Sequence, residues 1–425
     1  MITHHGPPSE FQGNFSLNWE NKIITWLESE IGFEKFNPGF SRLDYYLSDI
    51  PQKIKLRNIK IVTVAGTNGK GEVCHRLGQH LKDQNISFSL WTSPHILSIR
   101  ERFVTNGEEI SYLDLWQRIE SLHLSMEESG IELSFYEFLF VVFMFWALEQ
   151  NSSVLILEVG LGGKLDGVNY FDADVVGLPS ISRDHQEILG NSYQKILAEK
   201  LGVLREGSTL ISTLELRYLQ KIVNQHSIHE RYLWRDLFQE GLVNVKDSYS
   251  TRNSALSWQL ALEVFKLKNQ HNFFMPISPR VSFKGRNEKV TINGRRFIFI
   301  GAHNLDGLRK LVDSQTILGL LNVLWLVAFS QRDKADVLGM LRILANTKDG
   351  EEIWASFFQH PKALSKEVLS ELIQSEDNIG EKINYSFNWK ELITCEKYQS
   401  KTFLVTGSYY FIGEVQRFLL QEFSI

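Results

Sequence analysis

Several short segments carry residue types from which a phosphoryl-transfer site can be made. The first is "GTNGKG", residues 66–71, with three glycines and one lysine. Gly66, Gly69 and Gly71 let the backbone turn its amides towards an anion, and a helix starting there adds its dipole. Lys70 supplies a point charge suited to β- and γ-phosphates. The full G-x-x-x-x-G-K-[ST] pattern is not met, because Val64 stands at its first position and Gly71 and Glu72 follow the lysine. Taken alone, the motif reads equally as a glycine-rich turn with a surface lysine.

"LEVGLGGKLDGVN", residues 157–169, ends an apolar run on Glu158, before a loop with three glycines. A carboxylate there is costly unless it is paired or binds a cation. Metal ligation is one reading, and a surface acid at a strand end is the other. "SRDHQE", residues 182–187, offers Asp184 and His185, groups suited to Mg²⁺ or to general-base work, though histidine is the less usual magnesium ligand. Lys200, in "AEKLG", reads by default as one lysine on a solvated helix face.

These residues need a scaffold that gathers them. Residues 59–65 read as a strand, 71–84 as a helix and 87–92 as a second strand, a unit that implies a parallel sheet. Strand candidates follow at 154–160 and 174–181, with helices at 193–204 and 254–267. The polar stretch "GRNEKVTINGR", residues 285–295, reads as a boundary. Beyond it "RFIFIG", "NVLWLVAF", "EIWASFF" and "TFLVTG" each lead into a helix candidate. The expected architecture is α/β. It has an N-terminal P-loop-type ATPase domain, residues 1–288, with a mostly parallel sheet, and a smaller C-terminal Rossmann-like domain, residues 289–425. Ligands in open α/β sheets bind beyond the carboxyl ends of strands. That selects "GTNGKG", "TSPH", "EVGLGG", "SRDH", "GAHN" and "VTGS", each of which follows a strand candidate.

The bulk properties narrow the class. With 425 residues, two or three domains are expected. A net charge of -5 gives no reason to expect nucleic-acid binding. Two distant cysteines suit a reducing cytoplasm and supply no disulfide framework or zinc motif. The N-terminal "MITHHGPPSEF" lacks the apolar core of a signal peptide. The longest apolar run, Phe138 to Leu148, is too short to span a bilayer and reads as a buried helix. A dehydrogenase is disfavoured, since no G-x-G-x-x-G stands at a strand–helix turn.

In order and spacing together, GTNGKG, TSPH, EVGLGG, RDH, EKLG, GAHN and VTGSYY resemble the folylpolyglutamate synthase/dihydrofolate synthase family of the Mur ligase superfamily. The resemblance runs over about residues 40–415. It implies a cytoplasmic, monomeric, ATP-dependent amide ligase that adds L-glutamate to a folate or dihydropteroate carboxylate through an acyl phosphate. It implies ATP, Mg²⁺ at up to two sites and a monovalent cation, with no nucleic-acid or membrane partner. By the same resemblance Thr67, Asn68, Gly69, Lys70, Gly71, Asn253, Arg286, His303 and Asn304 contact ATP. Ser93, Glu158 and His185 hold magnesium, and Lys200, once carbamylated, holds a second ion. Lys70, Glu158, His185 and Lys200 form the catalytic group, while Pro94, His95, Tyr136, Ser408 and Tyr409 contact substrate. Arg42 matches an arginine of the family's N-terminal segment.

The chain also departs from the family pattern. Glu72 stands where Ser or Thr is usual, Phe140 where Thr lies near the pterin, and Ile300 where an Asp handles the ribose. "DKA" at 333–335 replaces "DKD", and "LDGVN" replaces "LDATN". Glu72 is expected to repel ATP unless magnesium bridges the two, and Ile300 to weaken the hold on the ribose. Two other readings remain at this point: a Mur-type ligase with a non-folate acceptor, and a non-catalytic nucleotide-binding relative.

Overall fold

Strand β1 (Lys60–Val64) sits inside the first sheet and sends alternate side chains to opposite faces. Ile61 enters one apolar layer, while Val62 and Val64 enter the other. Strand β5 (Val154–Glu158) divides in the same way, with Leu155 and Leu157 on one face and Val154 and Ile156 on the other. Of the two, β5 reads as an apolar run up to Glu158, and β1 as one broken by Thr63, because both of their faces are covered.

The computed structural model describes residues 16–33, 37–226, 231–232, 249–267, 283–315, 320, 322–347 and 351–423. The leader-peptide expectation for the first residues lies outside them. The chain divides into two compact units, Met1–Pro279 and Arg280–Ile425.

The first unit adds β2 (Phe88–Trp91), β3 (Val104–Thr105), β4 (Glu108–Glu109), β6 (Val175–Leu178), β7 (Thr209–Ser212) and β8 (Arg231–Tyr232). Its eight strands run in the order β4-β3-β2-β5-β1-β6-β7-β8. From β2 to β8 every pairing is parallel, and β3 and β4 add an antiparallel edge. The register sets Val64 beside Glu158 and beside Gly177. The loops after β1, β2, β5 and β6 therefore leave the sheet at one end, where the chain reverses its winding direction. The apolar run becomes the helix Phe135–Glu149, buried along most of its length.

In the second unit β9 (Arg286–Ile292), β10 (Arg295–Ile300), β11 (Leu324–Val327), β12 (Glu352–Ala355), β13 (Ile383–Tyr385) and β14 (Thr402–Thr406) form a sheet ordered β13-β12-β11-β14-β10-β9. Only β9 runs antiparallel, against β10. The stretch 285–295, read above as a boundary, holds the β9 arm and the turn of a β-hairpin with β10. Asn293 and Gly294, at φ 47° and 76°, make the tight turn, as an Asn-Gly pair in a two-residue hairpin does. The two units divide before this hairpin, at 279/280 rather than 288/289. No helix among the described residues is long and apolar enough to cross a membrane.

Candidate active site

The loop after β1 is fastened to the loop after β6 by short polar side chains. The Thr67 amide donates to the Ser180 carbonyl at 2.9 Å, and the Asn68 amide to Ser180 Oγ at 2.9 Å. Ser180 Oγ donates back to the Asn68 carbonyl at 2.9 Å, and the Ser182 amide donates to Thr67 Oγ1 at 3.0 Å. The Thr67 and Asn68 amides are thus committed to the protein. Gly69 follows at φ 94° and caps the helix Lys70–Asp83. A side chain there would also collide with Asn253, whose Oδ1 lies 2.6 Å from the position of a Cβ. Lys70 starts the helix and its Nζ donates to the Thr67 carbonyl at 3.3 Å.

Glu158 closes β5 and is buried, with Oε2 accepting from the Ser93 amide at 3.0 Å. The peptide bond from Ser93 to Pro94 is cis. The segment beyond it is held by Glu101, which accepts from the amides of Ile96, Leu97 and Ser98 at 2.8–3.0 Å. Glu20 reaches the same segment and accepts from Ser98 Oγ and Tyr112 Oη. Its burial pushes the carboxyl up to about 7, against those donors. His95 Nδ1 takes a hydrogen bond of 3.0 Å from the buried Arg102.

Tyr136 is committed to the scaffold. Its hydroxyl accepts from Trp91 Nε1 at 3.1 Å and donates to Asp166 Oδ1 at 3.0 Å. Asp166 in turn accepts from the amides of Leu161 and Val168 at 2.8 and 3.1 Å. The pair fixes the shape of the "EVGLGG" loop from below. Burial pushes both the Asp166 carboxyl and the Tyr136 phenol up. Phe140 is fully buried against Trp91, Phe143 and Phe171, so the aromatic side chain completes the core. Arg42 pairs with Glu137 at 2.8 Å and anchors the N-terminal helices to Phe135–Glu149.

Lys200 is the least expected of these groups. The default reading of a solvated helix face is wrong, because it is 4% exposed. Its Nζ donates to the Gly66 carbonyl at 2.9 Å. Burial first, and the nearby Lys70 charge second, push the amine down to about 7. Asp184, Asp166 and Glu199 oppose that shift. His185, by contrast, is half-exposed, in the left-handed region at φ 48°, with its ring 3.7 Å from Glu187. Among the described residues no three His, Cys, Asp or Glu side chains form a ready metal cluster. The buried Glu158 carboxylate next to Ser93 does offer the hard oxygen donors that Mg²⁺ prefers.

Glu72 does not face the loop as a lone charge. It pairs with Arg76 at 2.9 Å and accepts from Asn253 Nδ2 at 2.7 Å. In the second unit, Gly301 lets Tyr409 come so close that a Cβ would sit 1.9 Å from its ring. His303 lies 5.2 Å from the same ring, and the Arg286 guanidinium 5.8 Å from it. Asn304 caps the helix Leu305–Asp313 by accepting from the Gly307 amide at 2.9 Å, so its side chain has a structural task. Ser408 is buried, 2.9 Å from Ser330 Oγ. Tyr409, expected at substrate, thus groups with Arg286 and His303, expected at ATP. Ile300 ends β10 and packs on the second unit's core. Ser180 and Ser250 carry no sequence signal, since isolated serines give no motif, and Arg76 signals only through its spacing of four from Glu72.

No family model matches the chain. Full-length relatives do. A probable dihydrofolate synthetase of Schizosaccharomyces pombe is 26% identical over 394 residues, 84% of this chain and 93% of that protein. The dihydrofolate synthase/folylpolyglutamate synthase of Bacillus subtilis is 23% identical, covering 92% of this chain and 97% of that one. The like-named protein of Buchnera aphidicola subsp. Schizaphis graminum is 34% identical over 180 residues, a match that spans 42% of this chain and only 43% of the relative. Among solved structures, E. coli FolC in complex with DHPP and ADP superposes with a TM-score of 0.72 at 20% identity, covering 95% of this chain and 98% of that one. A bifunctional folylpolyglutamate synthase/dihydrofolate synthase with Mn, AMPPNP and L-glutamate bound gives a TM-score of 0.72 at 20% identity, with 94% and 97% covered. These last two establish the fold. With the loop motifs in the same order, the chain is similar over most of its length to proteins named dihydrofolate synthase and folylpolyglutamate synthase, and it shares the fold of their solved structures.

Proposed function

We propose that this chain is an ATP-dependent ligase that joins L-glutamate to a folate-type carboxylate, either dihydropteroate or a reduced folate. The observation that carries the reading is the placement of Lys70 at the helix start behind Gly69, at the same sheet end as the buried Glu158, with the buried Lys200 amine bonded to the Gly66 carbonyl beneath the loop. A lysine at a helix N-terminus that follows a glycine turn suits a triphosphate, and a buried carboxylate beside it suits the accompanying cation. The relatives named above, one solved with AMPPNP and L-glutamate and another with DHPP and ADP, fit that chemistry.

In this reading the acceptor carboxylate attacks the γ-phosphorus of ATP, ADP leaves, and an acyl phosphate remains. The amine of L-glutamate then attacks the acyl carbon, loses a proton and expels phosphate. Lys70 holds the β- and γ-phosphates and offsets charge that shifts between them. Ser93, Glu158 and His185 would hold Mg²⁺, and a carbamylated Lys200 would hold a second ion. Such ions neutralise phosphate charge when bound. Tyr136 and Asp166 keep the "EVGLGG" loop in shape, and Pro94 and His95 line the acceptor's approach. In the second unit Arg286, His303 and Tyr409 form one nucleotide-contacting group, whose ring and guanidinium suit a flat base. We take the chain to act as a cytoplasmic monomer.

The test is an assay with ATP, Mg²⁺, L-glutamate and either dihydropteroate or tetrahydrofolate, read as phosphate release and product mass. A product heavier by one glutamyl unit, formed with stoichiometric phosphate, is expected from at least one acceptor. Phosphate release without such a product from either would refute the folate assignment.

A further inference from the structure

Glu72 occupies the position where the family pattern carries a small hydroxyl, and it lies in the first turn of the phosphate-loop helix. Its surroundings are specific. Oε1 accepts from Arg76 Nε at 3.0 Å and from Ser250 Oγ at 2.7 Å, and Oε2 accepts from Asn253 Nδ2 at 2.7 Å. Arg76 also donates to Ser250 Oγ at 3.0 Å, which closes a ring of contacts. The Glu72 and Arg76 side chains are only 13% and 11% exposed. Ser250 and Asn253 stand one helical turn apart on Tyr249–Leu267, so they share a face. Asn253 is itself buried, and its carboxamide covers Gly69 within the distance a methyl group would need.

We propose that Glu72 is a positioning residue: its carboxylate fixes the Asn253 carboxamide over Gly69, and Arg76 offsets its charge so that the loop still receives an anion. This inference rests on the reading of residues 66–71 as an ATP site. A hydroxyl at position 72 would be too short to reach a second helix. A glutamate reaches it, but brings a negative charge to the mouth of a phosphate loop. Arg76, four residues on along the same helix, removes that penalty. Glu72 and Arg76 therefore act as a compensated pair, and Glu72 is not a magnesium ligand.

The test is equilibrium binding of AMPPNP with Mg²⁺ to the full chain, followed by calorimetry. Arg76→Ala leaves the carboxylate uncompensated and should weaken binding about tenfold, equivalent to about 1.4 kcal/mol. Adding Glu72→Gln to it should restore affinity to within about threefold of wild type. Glu72→Ala and Asn253→Ala should each weaken binding, and the double variant no more than either alone, because they break one contact. If Arg76→Ala does not fold, Arg76→Lys against Arg76→Gln makes the same comparison, and only the uncharged variant should bind weakly. A double variant as weak as Arg76→Ala would mean that Arg76 itself holds the nucleotide, and would overturn the proposal. So would a Glu72→Gln variant that needs about tenfold more Mg²⁺ for half-saturation, the mark of a lost metal ligand. Wild-type chain that binds no AMPPNP at all would instead remove the nucleotide reading and this inference with it.

Discussion

The amine of Lys200 donates to the carbonyl of Gly66 at 2.9 Å, so a buried lysine supports the first residue of the 66–71 loop from beneath. Burial and the Lys70 charge bring its pKa from 10.5 down to about 7. Between about 7 and 10.5 the unfolded chain binds a proton at Lys200 that the folded chain does not. Stability therefore rises with pH across that window, and below it the penalty is complete. Lys200→Met should abolish this dependence. The stability difference between the variant and wild type, measured by denaturant unfolding without bicarbonate, should shift in favour of wild type from pH 7 to 10. The lost bond to Gly66 adds only a constant. A difference that stays flat with pH would show that the amine is not perturbed.

The same neutral amine is what carbamylation requires, since only an unprotonated amine attacks carbon dioxide. Lys200→Ala should lose activity, and short carboxylic acids should restore part of it by returning a negative charge to the cavity. Mass spectrometry or a diffraction map in bicarbonate should find the carbamate on the wild-type chain. An unmodified amine under those conditions, with no rescue, would argue against a second ion at this position.

Glu158 and Lys70 separate charge from scaffold. Glu158→Gln keeps an oxygen to accept the Ser93 amide, so its melt should match wild type closely. Turnover should fall by about 10²–10³, the usual effect of removing one electrostatic group from a reacting centre. Glu158→Ala should lose stability as well, by about 1–3 kcal/mol, because a buried amide loses its partner. Lys70→Ala should lose turnover with little change in the melt. Near wild-type rates in Glu158→Gln would remove it from the catalytic group.

Much of this scaffold could be read in the sequence. Strands β1, β5 and β6 announce themselves because burial on both faces demands mostly apolar, β-branched runs. Gly69 announces a loop because no other residue takes its backbone angle so readily. The short edge strands β3, β4 and β13 carry no such signal, since few of their side chains are buried. Burial of Lys200 is hidden because a helical lysine is ordinarily solvated, and the loop that covers its amine, at Gly66, is distant in sequence. The Glu72–Arg76 spacing is a legible helix pair, but its partners Ser250 and Asn253 lie in a distant helix that nothing local indicates.

Tyr136 gives a prediction opposite to its expected role at substrate. Removing its hydroxyl leaves Trp91 Nε1 and Asp166 each short of one partner. Tyr136→Phe should therefore cost about 1–3 kcal/mol in stability. The "EVGLGG" loop should loosen and kcat should fall, with the acceptor KM changed much less. A variant of unchanged stability and a strongly raised acceptor KM would return the hydroxyl to the substrate.

Ile300 tests the nucleotide reading of the second unit. By the family resemblance an aspartate at this position handles the ribose. Here the side chain ends β10 and packs against the unit's apolar core, while its carbonyl accepts from Thr406 Oγ1 at 2.6 Å. Ile300→Asp keeps that backbone contact and trades apolar packing for a carboxylate. A hydrogen bond to a charged group contributes about 1.5–3 kcal/mol, or roughly 10- to 150-fold in affinity. ATP should therefore bind more tightly to the variant at every magnesium concentration, while the melting temperature falls because a half-buried apolar contact is lost. The two readouts move in opposite directions, so a general loss of structure cannot imitate the result. Calorimetric titration at low and high Mg²⁺, beside a thermal melt, measures both. Unchanged ATP affinity in a folded variant would mean that another group already holds the ribose, and that the isoleucine marks a different way of binding the nucleotide.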